Sequence, residues 1–311
     1  MTPDRFVGCL LGLALGDALG AAYEGGVLER LLWRVIGVTS EGRIRWTDDT
    51  QMSLDLADSL IAKGNLDLDD LALRFASNYR WSRGYGPSTS RQLRRVARGM
   101  HWREANRTVH CDGSFGNGGA MRAPVVGLFY SKRREELVGA ARISASVTHA
   151  HPLAMEGAAL VATATVLALM RHPAVEILEG AASVCRLGPF VTRLETAMRW
   201  LRSGTEPRPA DVAGQLGHGT AASESCATAM YVAARFLDRP FLELQQFAAA
   251  CAGDVDTIGA MAGAIWGAAN GSARLPADAL QRLEQRERLA AVASALHARS
   301  INAVNQNIGL S

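Results

Sequence analysis

Two acidic stretches, far apart in the chain, carry residue types that could do chemistry together. Arg45–Met52 reads RWTDDTQM, with Asp48 and Asp49 adjacent, threonines at 47 and 50, and an apolar run after them. Cys251–Ile258 reads CAGDVDTI, so Asp254, Asp256 and Thr257 again stand where a helix begins. A further acid, Glu24, closes the stretch GDALGAAYE. A purely local role competes at the first stretch. Asp48-x-x-Gln51 has the form of a capping box, in which Asp48 caps and Asp49 favours the helix dipole. At the second, an extended Asp254-x-Asp256 segment would send both side chains the same way. Were the five carboxylates to converge, their summed charge of about −5 would be untenable in a partly buried site. Two divalent cations would offset most of it. The donors are all oxygens from Asp, Glu and Thr, a set suited to Mg²⁺, Mn²⁺ or Ca²⁺ rather than zinc or copper. A two-metal site can orient a substrate's oxygens and generate a water nucleophile.

Two glycine-rich stretches read as binding loops. Cys111–Pro124, CDGSFGNGGAMRAP, combines four glycines with Ser114 and Asn117. Its backbone N–H groups could approach an anion closely and lead it to a helix N-terminus. Taken alone it could equally be a tight connection. Arg83–Pro87, RGYGP, is a shorter loop with an aromatic. His149 in SVTHAHP could contact a ligand or satisfy a local backbone group.

The elements that must position these residues read as helices. Alanine and leucine are abundant and alternating β-branched runs are scarce. Leu54, Ala57, Leu60 and Ile61 form one helical face, and Leu71, Leu73 and Phe75 belong to another short apolar segment. Ala158–Met170 is apolar nearly all round, the pattern of a central buried helix. Glycines recur every fourth residue at 8, 12, 16 and 20, and again at 259, 263, 267 and 271. Each costs its helix about 1 kcal/mol relative to alanine. Such stripes imply close backbone approach, and the two terminal helices are expected to be central and to pack against each other. No low-complexity linker divides the chain, so one all-α domain over 1–311 is expected.

Composition excludes several classes. The formal net charge of +3 on 311 residues leaves no broad nucleic-acid or membrane footprint. Lys132–Arg134 reads as solvated surface. The cysteines at 9, 111, 185, 226 and 251 are odd in number and form no C-x-x-C pair, which fits a reducing cytoplasm better than a disulfide framework or zinc site. Phe6–Tyr23 is apolar, but Asp17 interrupts it and Asp4 precedes it, unlike a signal peptide or membrane span.

The order of GDALGAAYE, WTDDTQM, RGYG, GSFGNGGAMRAP, THAHP and GDVDTIGAMAGAIWGA resembles that of ADP-ribosylhydrolases of the dinitrogenase-reductase-activating glycohydrolase type, from about residue 6 to residue 271. This resemblance implies a compact orthogonal helical bundle with two Mg²⁺ or Mn²⁺ ions at the bottom of a cleft. It implies metal ligation by Thr47, Asp48, Asp49, Asp254, Asp256 and Thr257. Glu24 would be a gating acid that contributes to catalysis. Gly84 and Gly86 would line the ribose and phosphate path, Ser114, Phe115, Gly116, Asn117 and Gly118 the diphosphate and adenosine, and Met121 and His149 would complete the pocket. The arginine-specific branch typically carries an aspartate in the block matching RGYGPSTS, which has no acid here. The wording is closer to the branch acting on O-linked ADP-ribose, including serine ADP-ribose and poly(ADP-ribose). Val255 departs from the GGDTDT common among relatives, and its side chain is expected to point away from the metals.

The implied reaction is hydrolysis at C1″ of the distal ribose in ADP-ribosylated proteins, with Glu24, Asp49 and Asp256 as the catalytic acids and a monomer as the acting species. A non-cleaving ADP-ribose-binding module or a crystallin-like structural protein would show eroded acidic blocks, and both blocks are intact. Arginine-linked or small-molecule ADP-ribose is the alternative substrate.

Overall fold

The computed structural model describes residues 1–307. The described chain is all-α: seventeen α-helices and three short 3₁₀ turns, with isolated bridges in place of any strand.

The glycine stripes organise its centre. The Pro3–Gly20 helix and the Val255–Asn270 helix lie face to face in the most extensive helix pairing of the described residues. A Cβ on Gly8 would meet the backbone of Gly267 and Gly271, one on Gly12 that of Gly263, one on Gly16 that of Gly259, and one on Gly20 that of Asp256. The partner number falls as the first rises, so the helices run antiparallel. Only glycine allows this approach, because the atoms in the way are carbonyl oxygens and Cα atoms rather than side chains that could turn aside. The Phe6–Tyr23 stretch is therefore, over most of its length, a core helix. The antiparallel register has a direct consequence: the end of the first helix, with Asp17 and then Glu24, meets the start of the second, with Asp254, Asp256 and Thr257.

A third element, the Asp48–Lys63 helix, buries Leu54, Ala57 and Leu60 and begins at the same place. Its lead-in is pinned from the other end of the chain. Trp46 is fully buried, its N–H donates to Glu284 Oε1 at 2.9 Å, and its carbonyl accepts from Arg83 at 2.7 Å. The Arg83 guanidinium lies 3.5 Å from the centroid of the Trp46 ring and is ion-paired with Glu284.

Pro152–Leu169 packs among its neighbours as the apolar segment predicts. It is the one described helix long and apolar enough to cross a membrane, and two thirds of it is buried inside the protein. In Leu68–Asn78, Leu71 and Phe75 are buried one turn apart, but Leu73 is 60% exposed. All three belong to one segment, as expected, and residues two apart on a helix do not share a face, so Leu73 points to solvent. All five cysteines are free, Cys111 exposed and the others buried.

Candidate active site

One cleft of about 280 Å³ gathers both acidic blocks and both glycine loops. Glu24, Asp48, Asp49, Asp254, Asp256 and Thr257 line one part of it. The blocks meet directly, with the Thr257 hydroxyl 3.4 Å from Asp49 Oδ1 across 208 residues of sequence. Carboxylate oxygens of Glu24, Asp254 and Asp256 lie within 4.8 Å of one another, as do those of Asp17, Asp49 and Asp256. Burial holds the carboxyls of Asp48, Asp49 and Asp256 well above the usual carboxylate range, and repulsion among the neighbouring acids adds to it. Asp254 is raised by burial, against the stabilising effect of the amide that Asn117 donates to it.

The local geometry differs from the sequence expectation at two points. Thr47, not Asp48, is the N-cap: its hydroxyl accepts from the Asp49 N–H at 3.3 Å. Gln51 closes no capping box and donates instead to Asp55 at 3.0 Å. With the cap supplied by Thr47, Asp48 is released to face the cleft. Asp254-x-Asp256 is not extended either. Asp254 occupies the N-cap position and the helix starts at Val255, so both acids reach the cleft from one N-terminal turn. Val255 between them is buried and outside the cleft lining, as expected.

Asp17 is the least legible participant. It is fully buried in the first helix and accepts four hydrogen bonds from the start of the third element. The Thr47 N–H donates to its two oxygens at 2.9 and 3.0 Å, the Thr50 N–H at 3.0 Å and the Thr50 hydroxyl at 2.5 Å. Burial still pushes its carboxyl up to about 6, against these bonds. Asp17 thus anchors the TDDT turn from another helix. In sequence it interrupts an apolar run and stands within GDALGAAYE, but nothing there marks its partners.

Glycine and one histidine build the facing wall. Gly84, Gly86, Ser114, Gly116, Asn117, Gly118, Met121 and His149 all line the cleft, together with Ser88, Thr89 and Thr220, which the motifs do not mark. A Cβ on Gly118 would run into the His149 ring, which lies against the loop. His149 Nδ1 is 2.8 Å from the Thr148 hydroxyl, and burial, with the charge of Arg122, holds the imidazole down to about 3 and therefore neutral. Beneath the loop, the fully buried Arg122 donates to the Gly118 and Ser144 carbonyls and to Thr148 Oγ1. Burial lowers it to about 9. Arg122 is hidden in sequence because its partners are mostly backbone carbonyls. Two expected residues sit elsewhere: Phe115 is 55% exposed with its ring edge-on to His151, and Thr47 lines an adjoining recess.

The acids fit a hard cation. Asp49 Oδ2 is buried and without a hydrogen-bond partner, and no lysine or arginine lines the cleft to balance the carboxylates. The donors are oxygens throughout, the set that divalent magnesium or manganese takes.

Comparison with known proteins agrees with this geometry. The model of the ADP-ribosylglycohydrolase family matches residues 1–305. The chain belongs to the ADP-ribosylglycohydrolase family. It is accordingly a glycosidase-type hydrolase. It is 34% identical to human "ADP-ribosylhydrolase ARH3" over 94% of this chain and 93% of the human protein, and 35% identical to the mouse protein of that name over 94% and 91%. An uncharacterised protein of Archaeoglobus fulgidus is 31% identical over 94% and 96%. A solved "ADP-ribosylglycohydrolase-related protein complex" superposes with a TM-score of 0.73 at 31% identity, covering 96% of this chain and 98% of that one. The ADP-ribosylglycohydrolase likeness thus spans the elements that carry Asp17 and Arg122 as well as the acidic blocks.

Proposed function

We propose that this chain hydrolyses the O-glycosidic bond at C1″ of ADP-ribose attached to serine-type acceptors or within poly(ADP-ribose), with two Mg²⁺ or Mn²⁺ ions as cofactors. The observation that carries the reading is the meeting of the TDDT and GDVDT blocks in one cleft, opposite a wall of glycine backbone. Thr47, Asp48, Asp49, Asp254, Asp256 and Thr257 would hold the ions. When bound, the ions offset the carboxylate charge, orient the ribose hydroxyls and acidify water. The protein's own groups do the rest. Gly116, Asn117 and Gly118 would line the diphosphate, with the Asn117 N–H held by the Thr220 carbonyl at 2.9 Å and the Gly116 N–H by the Ser114 hydroxyl at 3.3 Å, and with Met121 beside them and Phe115 at the rim for the adenosine. Neutral His149 fixes the loop without adding charge. Gly84 and Gly86 keep the ribose path free of side chains. As the C1″–O bond breaks, positive charge develops on the ribose, and the surrounding carboxylates stabilise it. Glu24, at the edge of the acid cluster, takes the proton of the attacking water, and Asp49 and Asp256 hold the sugar and cations in place.

Linkage follows from what the cleft lacks. The Arg83–Ser90 block places no carboxylate there to receive a guanidinium, which favours O-linked over arginine-linked acceptors. Five free cysteines suit a cytoplasmic enzyme. The test incubates the protein with serine-linked, arginine-linked and polymeric ADP-ribose, with and without chelator. Chelator-sensitive release of free ADP-ribose from the serine-linked or polymeric substrates alone is expected. Release from the arginine-linked substrate alone would overturn the linkage, and undiminished release in chelator the metal dependence.

A further inference from the structure

Beside the acid cluster lies a second recess, of about 310 Å³, that shares Glu24 and Gly84 with the cleft. Its remaining walls mix apolar side chains, Leu32, Trp33 and Ile36 from the Val27–Ile36 helix and Trp81 from the turn before Gly84, with the polar Thr47 and Ser82. Arg45 ties the two walls together, donating to the Ile36 carbonyl at 2.9 Å and the Ser82 hydroxyl at 3.5 Å. The apolar side chains are presented to solvent. Trp81 is 76% exposed and Leu32 55%. Of the eleven large hydrophobics exposed among the described residues, six (Tyr23, Leu31, Leu32, Val35, Val38 and Trp81) belong to this helix, its flanks or the facing turn. Of these six, Leu32 and Trp81 line the recess itself, and exposed apolar side chains at the mouth of a site favour a binding surface.

We infer that this recess docks the acceptor polypeptide through an apolar side chain neighbouring the modified residue. The inference rests on the hydrolase reading and extends it to the leaving group. The diphosphate is assigned to the Ser114–Gly118 loop, so the group bonded to C1″ must leave the cleft by another side. The recess opens from the cleft at Glu24, the residue assigned to the reacting water, and no other residue except Gly84 is common to both. A polymer of ADP-ribose would bring diphosphates, which call for cations. No lysine or arginine is among the residues lining the recess, so an apolar peptide segment is the better fit.

Leu32→Ser combined with Trp81→Ala tests this, because both side chains are exposed and their loss leaves the core intact. The substrates are a serine-ADP-ribosylated peptide with apolar residues beside the serine, ADP-ribosyl N-acetylserine amide, which lacks the peptide, and poly(ADP-ribose). The expected result is a rise of about tenfold in KM on the peptide, with kcat unchanged and the small conjugate cleaved as by wild type. Unchanged kinetics on the peptide, equal loss on peptide and small conjugate, or a loss confined to the polymer would overturn the inference. A wild-type protein that cleaves none of the three would instead remove the hydrolase reading, and this inference with it.

Discussion

Gly20→Ala perturbs the central helix pair without substituting any acid. The new methyl carbon would lie 2.6 Å from Asp256 Cα and from the Val255 carbonyl oxygen, and 2.8 Å from the Asp256 nitrogen. Ordinary van der Waals contact begins at 3.4 Å, so the backbone carrying Asp256 must retreat by about 0.8 Å. No rotamer relieves this, since the opposing atoms are all main chain. Overpacking of this kind costs about 1–3 kcal/mol. Gly20 is the last residue of its helix, so it recovers less than the roughly 1 kcal/mol that alanine gains at an interior position. A net destabilisation of about 1–2 kcal/mol should appear in urea unfolding. The larger effect should be on turnover if Asp256 acts as proposed, because moving a catalytic group by close to 1 Å costs on the order of 10²-fold. Gly139→Ala supplies the control. It lies inside the Arg134–Ser146 helix with nothing within 4 Å of the added carbon, so it should stabilise the protein by up to about 1 kcal/mol and leave turnover alone. If Gly20→Ala melts and turns over like wild type, the helix contact does not place Asp256 and the structural reasoning fails.

Asp17→Ala strips partners from the buried N–H groups of Thr47 and Thr50, at about 1–3 kcal/mol each. Chemical denaturation should show a loss of at least about 2 kcal/mol, together with reduced metal affinity as the TDDT turn loosens. A stable variant with normal metal binding would refute the anchoring role. Asp55 gives a pH signature. Burial raises its carboxyl to about 7 from an ordinary 3.8, so its ionisation is harder in the fold than in the unfolded chain. The stability it lends is full below about pH 4, is lost as pH rises towards about 7, and is absent above that. In Asp55→Asn the part of this downward slope that Asp55 supplies, worth a few kcal/mol at most, should be lost from unfolding free energies measured across that range, while the part due to Asp17 and the cleft acids remains. A wild-type slope in the variant would contradict the assignment.

What the sequence shows and what it hides divide along a physical line. Glycine every fourth residue is a local pattern with a local penalty, so close packing of the two striped helices can be read from it; their antiparallel direction, which brings Glu24 to the GDVDT block, cannot, and the second is not the terminal helix expected, since Ala277–Arg282 and Arg286–Asn307 follow it. The acidic blocks and glycine loops are likewise contiguous, and their residues reach one cleft. Asp17, Arg122, Ser88, Thr89 and Thr220 are different. The partners of Asp17 and most of those of Arg122 lie on other elements, and a single aspartate or arginine does not announce which backbone groups it will satisfy. Even the N-cap of the third element fell to Thr47 rather than Asp48, because either residue type can cap and the choice depends on which side chain the cleft draws away. Leu73 shows the same limit for packing: residue type alone did not say which face it would take.

The most direct test of the central claim pairs metal content with turnover in Asp256→Asn, a change that keeps shape and one oxygen to accept the Thr257 N–H but removes one charge and one acceptor from the cluster. Wild-type protein should retain two Mn²⁺ per chain by native mass spectrometry and release ADP-ribose from a serine-linked peptide. The variant should lose at least one ion and most of its activity, on the order of 10²-fold or more. Two ions and near-normal turnover in the variant would show that the carboxylates gathered in this cleft are not what binds the metal or cleaves the bond.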